Sequence, residues 1–294
     1  MSTDLALLPP QTQLATPPRQ ADADHQMVAM WVHRSNSKHT RRNYQRQAKR
    51  FLAFVGRSLA EVRVLDVQAY LASLEGSAPA TRAMAAAAVK SLLKLAHETG
   101  YIPFNPGVAV RRPPIKGALA ERILTESDVQ RMIHLEPDTR NRVLLTLLYA
   151  GALRVSELAA LKWRDLQPRD TAGQITIFGK GGKTRAILLS AGIWNQLTGL
   201  RGQADQDGPV FKSRKGGALD TSQVWRIVKA AAGRAGINPQ TSCHWLRHAH
   251  ASHALDRGCP IHLVQQTLGH ASVATTGIYL HARPADSSTR YLGI

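Results

Sequence analysis

Apolar residues recur at helical intervals between about Asp22 and Asn105. Tyr44, Phe51 and Phe54 form one stripe, and Arg41, Arg42, Arg46, Lys49 and Arg50 crowd the surface between them. The pattern predicts an amphipathic helix with a cationic side. A second helix is predicted around Leu65 to Leu74, and an Ala-rich third from about Pro79 to Glu98, with Gly100 placed to cap its end. Four or five short helices make a small bundle. Periodicity stops at Phe104-Asn105-Pro106-Gly107, and the basic, proline-stiffened run Arg111-Arg112-Pro113-Pro114-Ile115-Lys116 reads as an interdomain linker.

A second domain opens at Leu124-Thr125-Glu126-Ser127-Asp128. Thr125 is placed to cap a helix, Asp128 to bond back, and Leu124 to staple onto Val129. Val143 to Ala150 is almost wholly apolar, which predicts a helix buried on most sides and stopped by Gly151. Gln174 to Phe178 and Arg185 to Leu189 alternate as strands around the Gly-rich tip Gly179-Lys180-Gly181-Gly182-Lys183, so Lys180 is expected at the end of a hairpin. From about Ile193 onward the chain reads as helices separated by Gly and Pro. The fold class is therefore mainly α: an N-terminal helical bundle, then a mixed α/β domain with a small antiparallel sheet. The expected organisation is a disordered proline-containing lead-in over residues 1–21, a helical domain over 22–105, a basic linker over 106–121 and the mixed α/β domain over 122–294.

Charge narrows the function. The 294 residues carry 38 Lys and Arg against 20 Asp and Glu, a formal net charge of +18. Such a chain expects a polyanion. No apolar run approaches the length of a membrane span, and the N-terminus has no basic-then-apolar signal pattern, so nucleic acid is favoured over an anionic membrane and a cytoplasmic, nucleoid-associated protein is expected. Seven Lys or Arg and no acid lie between Trp31 and Arg50, which suggests phosphate contacts along that helix. Arg111 and Arg112 would suit a strap along a DNA backbone, although linkers are often basic merely because they are solvated. Cys243 and Cys259 are too few and too badly spaced for a disulfide framework or a Cys-based zinc site.

Chemistry-bearing side chains concentrate in the second domain. Arg154 follows the Gly151 break at the start of a helix, with Glu157 one turn on; the guanidinium fork can bind two phosphate oxygens while the carboxylate holds its far side. The same pair also occurs on ordinary exposed helices. His244, Arg247 and His248 share one helix face by their spacing. Seven of the twelve histidines lie between His244 and His281, so a metal at His244 with His248, or His250 with His253, is a rival reading. The shortage of nearby carboxylates and the many cations point to anion binding instead, and no metal or other cofactor is expected. His270 closes Thr267-Leu268-Gly269-His270, and Tyr279 follows nine residues later. Arginines can neutralise a phosphodiester, histidines can donate hydrogen bonds to the charge that develops, and a lysine such as Lys180 or Lys183 can protonate a leaving oxygen. Tyrosine could then attack.

In this order, Arg154, Lys180, His244-x-x-Arg247, His270 and Tyr279 resemble the active site of the tyrosine recombinase, or phage integrase, family. Gly151 to Leu158 is similar to the family's first motif, and His244 to His248 with Leu268-Gly269-His270 and Tyr279 to its second. The resemblance implies cleavage and rejoining of DNA through a 3′-phosphotyrosine without metal or ATP, at inverted-repeat sites on double-stranded DNA. It also implies two domains clamping DNA, and four protomers, alike or paired with a second recombinase, exchanging strands through a Holliday junction. The architecture looks closest to compact Xer-like members. Only fifteen residues follow Tyr279 and Pro284 interrupts them, so the C-terminal helix that members pass to a neighbour is expected to be short or absent. A type IB topoisomerase, an inactive DNA-binding relative and a His-ligated metallonuclease are the competing readings.

Overall fold

The computed structural model describes residues 20–111, 119–179 and 184–282. The chain divides into two compact units between Lys116 and Gly117. In the first unit α1 spans Gln20–His33, α2 Lys38–Val55, α3 Val64–Ala72 and α4 Pro79–Glu98. Helix α1 thus begins slightly before the expected end of the lead-in. Ser37 caps α2 by accepting from the Thr40 amide, and Gly56, with φ 66°, closes it by donating its amide to Leu52. The inward side of α2 holds Phe51, and Tyr44 stacks on Trp31 of α1 with ring centroids 4.0 Å apart. Phe54 stays largely exposed and meets Tyr70 of α3 only by its edge. Helix α4 is lined by Ala, Val and Leu that fill the middle of the bundle, and small alanines let its neighbours approach closely.

A buried carboxylate ties this bundle together. Asp24 on α1 accepts from the Ser58 hydroxyl, the Leu59 amide and, at 2.6 Å, the Tyr101 hydroxyl beyond α4. These bonds span three separate stretches of chain.

In the second unit α5 spans Glu126–His134, α6 Thr139–Ala150, α7 Val155–Ala160, α8 Ala191–Thr198, α9 Thr221–Arg234, α10 Cys243–Asp256, α11 Ile261–Leu268 and α12 Val273–Ala282. Thr125 caps α5 through the Asp128 amide, and its hydroxyl also donates to the Asp128 carboxylate, while Leu124 and Val129 are buried in one cluster. Helix α6 buries Val143, Leu144, Leu145, Leu147 and Leu148, each such side chain contributing about 1.5–3 kcal/mol relative to exposure. The sheet has three strands, not the two the alternation predicts: β1 Leu166–Arg169, β2 Ala172–Phe178 and β3 Thr184–Leu189, antiparallel in the order β1-β2-β3. Strand β1 is four residues long, mostly exposed and contains Pro168, which an edge position tolerates because only one side must supply ladder bonds. Its sequence has no alternation to announce it.

Replacing Asp24 with Ala leaves the buried Leu59 amide and the Tyr101 hydroxyl without this acceptor. Urea denaturation of the intact chain should show a loss of about 2 to 3 kcal/mol. A change below the error of the extrapolation would mean that the carboxylate does not organise the bundle.

Candidate active site

The turn between α6 and α7 sets the geometry. Helix α6 ends at Gly151, as the sequence predicts; the φ of Gly151 is −89°, and the left-handed residue is Ala152, with φ 49°. Glycine is needed at 151 because a Cβ there would lie 2.9 Å from the Leu147 carbonyl oxygen. Ala152 is fully buried, and its conformation costs on the order of 1 kcal/mol. Its carbonyl accepts from Arg247 Nη1 at 2.6 Å, so the guanidinium holds the strained peptide in place.

Arg154 is the residue immediately before α7. Its amide donates to Glu157 Oε2 and its Nη1 to Oε1, both at 2.8 Å, so carboxylate and guanidinium fix each other while closing the first turn. Arg185 of β3 grips the same carboxylate from the other side, Nη1 to Oε1 at 2.9 Å and Nη2 to Oε2 at 2.8 Å. Burial pushes the Glu157 pKa up, but the hydrogen bonds from Arg185 and Arg154 outweigh it and hold the group near 2.

Helix α10 supplies the next three groups from one face. Arg247 is 1% exposed and donates to the carbonyls of Ala152 and Leu268. Burial, then the positive charge of Arg154, lowers its pKa to about 10, so it stays charged at neutral pH. His244 and His248 meet edge to face with centroids 4.3 Å apart, and His248 Nδ1 lies 2.8 Å from the Tyr279 hydroxyl. Tyr279, on α12, is 3% exposed. Burial raises its pKa above the ordinary 10 while Arg247 opposes, so the phenol is protonated at neutral pH. The His270 segment follows α11, where Gly269 adopts φ 63° and turns the chain. His270 Nδ1 lies 2.9 Å from Thr276 Oγ1, a second tie onto α12.

Hydrogen bonds thus join the segments around 152–157, 244–248, 268–270 and 276–279. Lys180, Lys183 and Arg112 lie outside the described residues, as does the chain beyond Ala282. In the other unit Arg42, Arg46, Lys49 and Arg50 are exposed on α2, and Arg111 is exposed at that unit's end. Arg41 is different: partly buried, it donates Nε to the Ser35 carbonyl at 2.6 Å and braces the turn before α2. Of the histidine pairs raised as a metal site, His253 has both ring nitrogens engaged, by the Tyr149 hydroxyl and the Leu124 carbonyl, each at 3.0 Å. No group of three His, Cys, Asp or Glu side chains converges among the described residues. Sequence reasoning missed Arg185, Thr276 and the strained Ala152. Arg185 had a signal: it shares strand parity with the buried Ile187 and Leu189, and a cation on a buried face requires a partner.

The sequence matches the Phage integrase family over residues 122–286, and the phage integrase N-terminal SAM-like domain over residues 28–100. The chain belongs to the phage integrase family. It is an enzyme of the tyrosine recombinase type, and site-specific DNA recombination is its activity. Tyrosine recombinase XerD of Shewanella oneidensis is 32% identical over 274 residues, covering 87% of this chain and 90% of that protein. XerC of Xylella fastidiosa is also 32% identical, over 85% and 88% of the two chains. The recombinase shares its fold with XerH bound to a palindromic difH substrate in a post-cleavage complex, with TM-score 0.72 and 20% identity over 92% of this chain and 88% of that one. A lambda integrase dimer bound to a core site gives TM-score 0.72 and 18% identity over 91% and 81%.

Three histidines of the recombinase are held neutral by full or partial burial. His248, His250 and His270 are each lowered to about 4, by burial first and then chiefly by neighbouring positive charge. Unfolded, the rings titrate near the ordinary 6.5, so between that value and 4 the unfolded chain binds more protons. Stability should be fullest above the upper value and fall as pH drops toward the lower. Urea midpoints measured across this range should decline with acid, and His250→Gln should flatten the decline. A midpoint independent of pH would contradict the neutral rings.

Proposed function

We propose that Tyr279 is the nucleophile of strand cleavage, that Arg154 and Arg247 bind the non-bridging oxygens of the scissile phosphate, and that His244 and His270 donate hydrogen bonds to the same group. The hydroxyl oxygen attacks phosphorus, the P–O5′ bond breaks, and a 3′-phosphotyrosine forms with a free 5′-hydroxyl. His248, neutral and 2.8 Å from the hydroxyl, takes the tyrosine proton as the new bond forms. Lys180 returns a proton to the departing 5′ oxygen. The phosphotyrosine retains the energy of the broken bond, so attack by another DNA end reverses the step without ATP, and no metal enters it.

The observation that carries this reading is the contact of Tyr279 with His248 on the same helix face that presents Arg247. In support, the partners of Arg247 among the described residues are carbonyls, which leave its charge for an anion. The exposed cations of α2, with Arg111, Arg112 and Lys183, are assigned to the DNA backbone, which sets their contribution to salt dependence. A boundary between DNA-gripping and catalytic domains across residues 106–121 completes the organisation. The substrate is double-stranded DNA bearing an inverted-repeat site. Because the lambda relative is known as a tetramer on a Holliday junction, the working assembly is assigned as four protomers, identical or shared with a second recombinase. Among the described residues no helix is long and apolar enough to cross a membrane; a DNA substrate is the reason for assigning the enzyme to the cytoplasm with the nucleoid.

Tyr279→Phe removes one oxygen only. It should bind DNA normally yet give no covalent adduct on a nicked suicide substrate resolved by denaturing gel; an adduct would pass the role to another tyrosine, Tyr291 first.

Arg154→Lys and Arg247→Lys should each lose about 3 to 4 kcal/mol of transition-state stabilisation, because a point charge cannot replace a bidentate fork. Near-normal cleavage by either variant removes that arginine from the phosphate. For Lys180, a 5′-phosphorothiolate, whose sulfur departs without a proton, should restore cleavage to Lys180→Ala. Rescue of Lys183→Ala instead would transfer the acid role to that residue.

A further inference from the structure

Arg185 belongs to none of the groups assigned above, yet it is the most fully engaged guanidinium of the site. It enters from β3, on the strand face that also carries Ile187 and Leu189, and its side chain is 12% exposed. Three of its nitrogens make directed bonds: Nη1 and Nη2 to the two Glu157 oxygens, and Nε to the Thr267 carbonyl at 2.8 Å. Thr267 lies in the last turn of α11, three residues before His270. Gly269 packs directly on the arginine: a Cβ there would lie 3.1 Å from both Arg185 Cδ and Nη1. One side chain therefore connects the sheet, the α7 carboxylate and the turn that carries His270.

The consequence concerns Arg154. Its Nη1 is anchored on Glu157 Oε1, the same oxygen that accepts from Arg185 Nη1. Were Arg185 absent, Glu157 would be held by Arg154 alone, through its amide and one guanidinium nitrogen, and each carboxylate oxygen would lose a donor. We infer that Arg185 is a positioning residue of the recombination reaction: by clamping Glu157 and the Thr267 carbonyl at once, it fixes the direction in which Arg154 and the His270 turn face the scissile phosphate. All three Arg185 nitrogens are engaged, and a side chain only 12% exposed offers its two remaining N–H groups little access to DNA. Lysine cannot substitute, since one ammonium cannot hold two carboxylate oxygens and a carbonyl in a plane.

This inference rests on the assignment of Arg154 to the scissile phosphate, and the test separates the two. Adduct formation is measured at saturating protein on nicked suicide substrates, one with an ordinary scissile phosphodiester and one with a neutral methylphosphonate at that position. Arg185→Gln should slow the phosphodiester reaction roughly 100-fold, the scale of an ångström-sized misplacement. DNA affinity should stay within about threefold, under 1 kcal/mol. On the methylphosphonate the defect should shrink to about tenfold or less, because a misaimed Arg154 matters little when there is no charge to neutralise. Arg185→Lys is read in the same way and keeps the test intact should the glutamine variant fail to fold. Equal losses on both substrates, or a wild-type rate on the phosphodiester, overturn the positioning role. Failure of the wild-type chain to form any adduct overturns the parent assignment, and this inference with it.

Discussion

A guanidinium buried to 1% exposure, whose hydrogen bonds among the described residues go to carbonyl oxygens, is the constraint around which the catalytic unit is arranged. Removing such a cation from water costs several kcal/mol unless its hydrogen bonds are met and a counter-charge arrives. Arg247 obtains the first from Ala152 and Leu268. Among the described residues no carboxylate forms an ion pair with it, because Glu157 is spent on Arg154 and Arg185. Two guanidiniums thus share one carboxylate while a third has none, and the site holds a net positive charge whose natural complement is an anion such as phosphate.

Several local features follow from holding that charge. Ala152 accepts a left-handed conformation because its carbonyl must point at Arg247, and Gly151 is glycine because the chain must pass the Leu147 carbonyl to get there. The surrounding histidines are held neutral by burial and by the same cations, which suits them to accept or share protons at neutral pH without adding charge. Two of them tether α12, His248 through Tyr279 and His270 through Thr276. The helix that carries the hydroxyl is therefore docked by rings of the proposed active site, so that on this reading binding of DNA and freeing of the hydroxyl bear on the same groups.

Much of the scaffold was legible because periodicity and capping are local. Pro79 and Glu98 bound α4 as the Ala-rich pattern and the following Gly100 require, and Thr125 announces α5 by its own hydrogen bond. The placement of His244, Arg247 and His248 on one face needed only the helical repeat. What escaped was decided by tertiary contact. Strand β1 exists because β2 offers an edge, not because Leu166-Gln167-Pro168-Arg169 favours extension. Ala152 gives no sign of a positive φ, since the residue type argues against it. Arg41 looks like its exposed neighbours on α2 until the Ser35 carbonyl is seen to claim it. Arg185 lay between these cases: strand parity pointed it inward, but only the folded chain shows that Glu157 waits there.

The central claim is that the Tyr279 hydroxyl becomes bonded to DNA phosphorus. Mass spectrometry of protease digests from a trapped protein–DNA complex measures this directly, since the peptide that retains a nucleotide phosphate identifies the attacking side chain. The account predicts that the modified peptide contains Tyr279 and that fragmentation places the phosphate on its ring oxygen. A phosphate on any other residue, Tyr149 and Tyr291 included, would contradict it.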